Sequence, residues 1–402
     1  MRLSLPPRAP LMTVTSLKGC PGYSRSVQSC PDVALLLADQ RQPVDAAQQR
    51  LLGGGDRPSV EVGWSVAHED WVRVALRRLP QAIRRGRYSS IRQLEMKVSE
   101  AGPGDLRANP IHLREALNQL GSDGQVLLHH PPSPRGITLP TFYTPPNFSE
   151  GMASDVERRD EVLSLYAVFL KAAKDDSGKT LERAVYRAAL DARKMERYIT
   201  VIGSPDRPPD AAVVLNDVPV AEALDLILIT PDGIVAVEDK DLREWLSPSS
   251  SEVWGVIGKA LRHDALPVLI CRKVTYDLFL LFKQIGALAF QVHRQHFPTE
   301  YAERLARVKH KDGLGFHDLS FGDQPSPGLV RFIGETVPRY LAERLRLFRQ
   351  HANLLREFAI DSRLESDELP GDQRSHIYRA FFRRLKGWEE EQEGPPDDQW
   401  GW

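Results

Sequence analysis

Residues 222–244 read EALDLILITPDGIVAVEDKDLRE, which sets Asp225 before one apolar run and Glu238, Asp239 and Lys240 at the end of another. Pro231-Asp232-Gly233 lies between the runs. Proline presets φ and glycine accepts a positive φ, so the tripeptide predicts a turn and the two runs an antiparallel hairpin. Folding about that turn brings Asp225 opposite positions 239–240, within a residue of register. Side chains alternate along a strand, so Glu238 and Lys240 share a face. With Asp225 on that face, two carboxylates and an ammonium converge at the open end of the hairpin. Charges at the end of strands this apolar are costly unless they are paired or ligate a cation. Mg²⁺ suits such a place, with Mn²⁺ able to substitute: it takes oxygen ligands, keeps several waters and bridges to phosphate. A metal-bound water attacks phosphorus, and a nearby lysine orients or deprotonates it or balances the developing charge. That chemistry is phosphodiester hydrolysis. The plainer alternative is an exposed hairpin end carrying an ion pair of little energetic consequence.

The flanking sequence predicts the elements that would position these groups. Helices are expected over 156–173 and 180–195, and strands over 198–202, 213–215, 224–230 and 234–240. A helix at 251–263, a strand at 267–271, a helix at 276–285 and a strand at 287–292 follow, an alternation that indicates an α/β domain with a mixed sheet. Beyond 297 the chain reads as mainly helical, notably 338–358 and 374–388.

The hairpin and its surroundings resemble the PD-(D/E)XK, or restriction-endonuclease-like, nuclease superfamily, over about 120 residues. Asp225 matches the family's first acid and Glu238-Asp239-Lys240 its Glu-x-Lys. Glu182, in SGKTLERAVYRAAL, falls where many members carry a glutamate on the helix before the sheet. The resemblance implies that Asp225, Glu238 and Glu182 hold Mg²⁺ while Lys240 assists the water. It also implies that 251–263 borders the site, where Lys259 or His263 would meet DNA or the scissile phosphate. Leu224 stands where the signature has proline, and Asp239 where an apolar residue is usual. Asp239 and Asp241 are expected to face solvent at the strand end, and they also open a rival register.

Before the linker at 144–152, three helices (67–84, 89–100, 109–120) and two strands (125–130, 136–142) resemble a winged-helix domain over about 75 residues. Asn109 and Pro110 are suited to the Ncap and first position of the third helix. Seven arginines fall between Arg73 and Arg92 with no acid among them. Arg84, Arg85, Arg87 and Arg92, with Arg114 on the third helix, are candidates for DNA phosphate contacts. His112 and Asn118 are further polar candidates on that helix. The segments are thus 1–60 as a loosely ordered extension, 67–143 winged-helix-like, 155–297 nuclease-like, 298–390 helical and 391–402 a mobile tail. The expected class is α/β (an α+β mixed sheet), with a restriction-endonuclease-like core behind a winged-helix-like domain.

The net charge of −1 over 402 residues gives no global pull toward nucleic acid, so binding must come from local patches. No apolar run approaches a membrane span, and no compact apolar region follows Arg2 as a secretory signal requires. Three cysteines cannot build a disulfide framework or a four-ligand zinc site, and Cys271 reads as a buried small hydrophobe. A cytoplasmic setting is expected. Ser177-Gly178-Lys179-Thr180 lacks the upstream glycine of a P-loop, since position 173 is Ala173, and reads as a helix-capping turn. His293 with His296, and His129 with His130, lack further ligands. The arginine-rich 339–356 suits either a homodimer face or a DNA-facing helix. The expected function is a metal-dependent DNA endonuclease in restriction, defence or repair, with RNA as the alternative polymer. The rival is a non-catalytic DNA-binding or regulatory protein on a degenerate nuclease fold.

Overall fold

The structure is a computed structural model describing residues 60–100, 108–132, 138–174, 178–203, 213–215, 218–220, 224–366 and 368–387, with backbone only for 60–69, 213–215, 218–220 and 371–372. The expectations for the 1–59 extension and the 391–402 tail lie outside these residues. The chain is mixed α/β. Among the described residues no helix is long and apolar enough to cross a membrane.

The N-terminal part runs α1 (Val60–Gly86), β1 (Ser89–Ser90), α2 (Ile91–Glu95, continuing as a π-turn over Met96–Glu100), α3 (Pro110–Ser122), β2 (Leu127–His129) and β3 (Phe142–Thr144). Val72, Ala75, Leu79 and Ile83 recur at helical spacing on α1 and pack against Leu94, Leu113 and Leu117. Ser90 opens α2 with a reciprocal capping box: its Oγ accepts from Gln93 N at 3.1 Å while Gln93 Oε1 accepts from Ser90 N at 3.0 Å. Asn109 caps α3 with Pro110 behind it, as the sequence indicates. The second wing strand lies later than the expected 136–142. Phe142, Tyr143 and Thr144 form it because they are the residues that become buried. β3 is central, pairing antiparallel with both β1 and β2.

Next come α4 (Ala153–Ala172), α5 (Gly178–Lys194), β4 (Thr200–Ile202), the ribbon β5 (Val213–Leu215) and β6 (Val218–Val220), β7 (Leu226–Thr230), β8 (Gly233–Lys240), α6 (Ser251–Arg262), β9 (Leu266–Cys271), α7 (Tyr276–Ile285) and β10 (Leu288–Gln291). The main sheet has the order β10-β9-β8-β7-β4. β4, β7 and β8 are antiparallel, whereas β8, β9 and β10 run parallel through right-sized helical crossovers. Both faces are covered, which explains the nearly continuous apolar strands. Val235 and Val237 of β8 share an apolar cluster with α5, while Ala236 belongs to the cluster on the α6 side.

The C-terminal helices, expected as a separate region, share these same cores. After β11 (Gln295–Phe297) and its parallel partner β12 (Leu319–Phe321), α8 (Val337–Gln350) lays Val337, Leu341 and Leu345 on the α5 side of the sheet. The arginine-rich stretch therefore spends its apolar face on the sheet. α9 (Ala352–Arg356) and α10 (Gly371–Leu385) close over α6, with Phe381 edge-on to Trp254. Gly286 caps α7 at φ 86°, where the α8 backbone at Arg344 and Phe348 occupies the space of a Cβ. α4 turns instead toward Tyr88, Phe142, Phe297 and Phe316, in a core that joins the N-terminal part to β11 and β12.

Candidate active site

The hairpin forms as its turn chemistry demands, but one residue tighter than the tripeptide suggests. Thr230 pairs with Gly233, and Thr230 Oγ1 accepts from Asp232 N at 3.1 Å and Gly233 N at 3.2 Å. The ladder ends at Leu226 opposite Val237, so continuing it places Asp225 across from Glu238, not from 239–240. A two-residue loop accounts for the shift. Asp225 Oδ2 accepts the Asp239 N–H at 2.8 Å, which ties the Asp225 carboxylate to the neighbouring strand. Gly203, at φ 138° in the residue after β4, admits the Asp225 carbonyl oxygen where a Cβ would stand.

Alternation divides the charges between two faces. Glu238 and Lys240 follow Ala236 toward α6. Lys240 Nζ donates to Glu238 Oε1 at 2.7 Å, and Lys259 Nζ from α6 donates to Oε1 and Oε2 at 2.8 and 2.9 Å. Lys259 thus meets the acid of the Glu-x-Lys itself. Asp239 follows Val237 toward α5, the helix that carries Glu182. The expectation that Asp239 and Asp241 face solvent is wrong: they are 7% and 6% exposed. Asp239 lies on the face of β8 that packs toward α5, and Asp241, just past the strand end, is buried against the backbone and side chains of Gln295 and His296. Asp241 accepts His296 N at 2.8 Å.

These groups act on one another. Burial first, then the charges of Glu238 and Glu182, push the Asp225 carboxyl up to about 7 against the pull of Lys240 and the Asp239 N–H. Burial, with Asp225 and Glu182, pushes Asp239 well above the carboxylate range. Burial works against the Lys240 ammonium, but Glu238, Asp225 and Asp239 outweigh it and hold that pKa above its ordinary value. Glu182, Asp225, Glu238, Asp239 and Lys240 therefore form a single electrostatic cluster, as the sequence indicates for four of them.

The donor set is made of carboxylate oxygens, the ligand type that a hard divalent cation takes. The acids are mutually repelled oxygens, and Asp239 Oδ2 is buried without a hydrogen-bond partner. Among the described residues no group of three or more His, Cys, Asp or Glu is arranged to hold a metal. Mg²⁺ is an ion that takes only one or two protein carboxylates and completes its shell with water and phosphate. His129 Nε2 is within 2.8 Å of Thr144 Oγ1, a hydrogen-bonding pair across β2 and β3. Cys271 is buried, and burial pushes its thiol up to about 12, far from a nucleophile's range.

The arginine candidates separate into two groups. Arg84, Arg85 and Arg114 are exposed. Arg87 instead binds Asp155 Oδ1 at 2.7 Å and Asn147 Oδ1 at 2.9 Å, and Arg92 bridges Glu95 and Glu244. His112 accepts the Asn109 N–H at 3.2 Å and so helps cap α3. Sequence reasoning missed a buried network beside the site. Arg272 binds both oxygens of Glu100 at 2.8 and 2.9 Å and Asp318 Oδ2 at 3.0 Å, while Arg243 binds Asp318 at 2.7 and 2.8 Å. Trp245 Nε1 also donates to Glu100 at 3.1 Å.

The raised Asp225 pKa gives a pH test. The unfolded chain releases this proton near pH 4 and the folded, metal-free chain near 7. Its stabilising contribution is full below about pH 4 and lost as pH rises through about 7. In EDTA, the unfolding free energy from urea melts is expected to fall between pH 5 and 8, by on the order of 1–4 kcal/mol, with Asp225→Asn flattening the slope. Mn²⁺ at pH 8 should restore the wild type and not the variant. Comparison with family models, with curated proteins and with solved structures finds no match to this chain.

Proposed function

We propose that this chain is a Mg²⁺-dependent endonuclease acting on DNA, with a PD-(D/E)XK-like core and a winged-helix-like N-terminal module. The observation that carries it is the hairpin end: Asp225 is bonded to the strand that bears Glu238 and Lys240, and Glu182 acts on the same cluster. The order of elements around it supports the reading. A helix with Glu182, the hairpin, a helix and a parallel strand follow one another as the resemblance implies. Three helices and a small antiparallel sheet precede them, as a winged helix requires.

In this reading the carboxylates around Asp225 hold the cation, which when bound acidifies a water and stabilises charge on the phosphate. Lys240, 28% exposed at its side chain and fixed on Glu238, presents an ammonium toward the attacking water and the scissile phosphate. Glu182 adds negative charge from α5. Arg84, Arg85 and Arg114 contact the phosphate backbone. Replacing these three by alanine should weaken duplex binding at every sequence and reduce the slope of log K against log salt by about 3. An unchanged slope in filter binding would remove them from the interface.

The direct test is supercoiled plasmid with purified protein in Mg²⁺ or Mn²⁺ against EDTA, beside Lys240→Ala, with an RNA arm. Metal-dependent cleavage lost in the variant supports the enzyme. One observation favours a second reading, that of a non-catalytic DNA binder: both Glu238 oxygens are already neutralised by lysines. Retention of DNA on a gel without cleavage in any metal would establish it.

A further inference from the structure

We infer that Asp239, the residue between the glutamate and the lysine, is a ligand of the cation at this site together with Asp225, and that Glu238 is a lysine-held positioning residue. The inference deepens the hydrolase reading and rests on it for the presence of a cation.

Its first support is the state of Glu238. Oε1 receives both Lys240 and Lys259, and Oε2 receives Lys259, all at 2.7–2.9 Å. A cation coordinated there would stand against two ammonium groups and displace their hydrogen bonds. The second is the state of Asp239. It occupies the face of β8 where alternation after Val235 and Val237 asks for an apolar side chain. It is 7% exposed, yet Oδ2 has no hydrogen-bond partner. A buried carboxylate oxygen without a donor is costly and needs a counterpart. The third is proximity: Asp225 Oδ2 accepts the Asp239 backbone N–H at 2.8 Å, and the Asp225 charge acts on the Asp239 carboxyl across the strand end. One hard cation with one or two carboxylates and several waters satisfies both acids. Glu238 then serves by fixing Lys240 and Lys259, whose charges face the reacting phosphate.

The test is direct Mn²⁺ binding by titration calorimetry and by the loss of the free-ion paramagnetic signal. It uses the full chain at pH 8, with Asp225→Asn, Asp239→Asn and Glu238→Gln. Thermal melts in EDTA check that each variant folds, and the shift on adding Mn²⁺ gives a second readout. Asp225→Asn and Asp239→Asn should each weaken Mn²⁺ binding at least 30-fold and abolish the thermal shift, with Glu238→Gln within about 5-fold of the wild type. Glu238→Gln should instead change the pH profile of cleavage, because it releases the two lysines. Asp239→Asn binding within 3-fold of the wild type, or a larger loss in Glu238→Gln, overturns the assignment. Plasmid cleavage by the same wild-type preparation separates the two failures: cleavage with Mn²⁺ carried by Glu238 sinks the Asp239 assignment alone, and no Mn²⁺ binding with no cleavage sinks both.

Discussion

Asp225→Asn is expected to lower Mg²⁺-dependent plasmid cleavage by at least about 10²–10³-fold, while duplex binding and the fold persist. Loss of one preorganised group that stabilises charge in the transition state typically has an effect of this size. The structure explains why the fold survives. The Asn amide oxygen keeps the acceptor that receives the Asp239 N–H at 2.8 Å, and the neutral side chain no longer faces Glu238 and Glu182. The metal-free variant should therefore melt at or above the wild-type temperature at pH 8. Activity and stability moving in opposite directions distinguish a functional acid from a structural one. An inactive variant that also melts well below the wild type would mean that Asp225 works as a strand tie. Unchanged cleavage would detach the hairpin from the chemistry altogether.

The second large effect lies in the buried charge network. Arg272→Met should destabilise the protein by about 3–5 kcal/mol in urea melts, the usual result of breaking a buried pair from one side. Arg272 is 1% exposed and holds Glu100 and Asp318 at once, and Arg243 remains to Asp318 alone. Burial raises the Glu100 carboxyl, but Arg272 and Arg243 outweigh it and hold its pKa below the ordinary range. The network's contribution is thus present above the unfolded carboxylate range and lost only as pH falls below it, opposite in sign to Asp225. Removing the orphaned charge as well, in Arg272→Met with Glu100→Gln, should recover part of the loss and expose the coupling in a double-mutant cycle. Additive losses would show that the two side chains do not act as a pair. Against a total stability of roughly 5–15 kcal/mol, the single variant is also expected to express poorly.

The network matters because of its position. Arg243 and Trp245 follow the strand that ends in Lys240, and Glu100 closes the second helical segment of the N-terminal part. That part is fastened to the core beside the candidate site by groups buried on both sides. Nothing in the composition of either segment signals this, because Glu100 and Arg272 lie 172 residues apart. The alternative readings of single residues show the same limit. Arg87 and Arg92 look like members of a phosphate-binding run, but Asp155 and Glu244, at 68 and 152 positions' distance, occupy them.

The residues alone determined whatever depends on near neighbours. Proline and glycine placed the hairpin turn, alternation paired Glu238 with Lys240, and Asn109 with Pro110 opened its helix. The helix and strand order around Glu182, Asp225 and Lys240 was equally legible, since periods of 2 and 3.6 residues are local. Tertiary structure alone decided which charges meet. It brought Lys259 to Glu238, buried Asp239 and Asp241 where solvent was expected, and set the arginine-rich α8 against the sheet. A strand's alternation defines two faces but does not say which of them a helix will cover. That is settled by packing among elements far apart in the chain, where the burial of large apolar surfaces outweighs the preference of any single charged side chain for water.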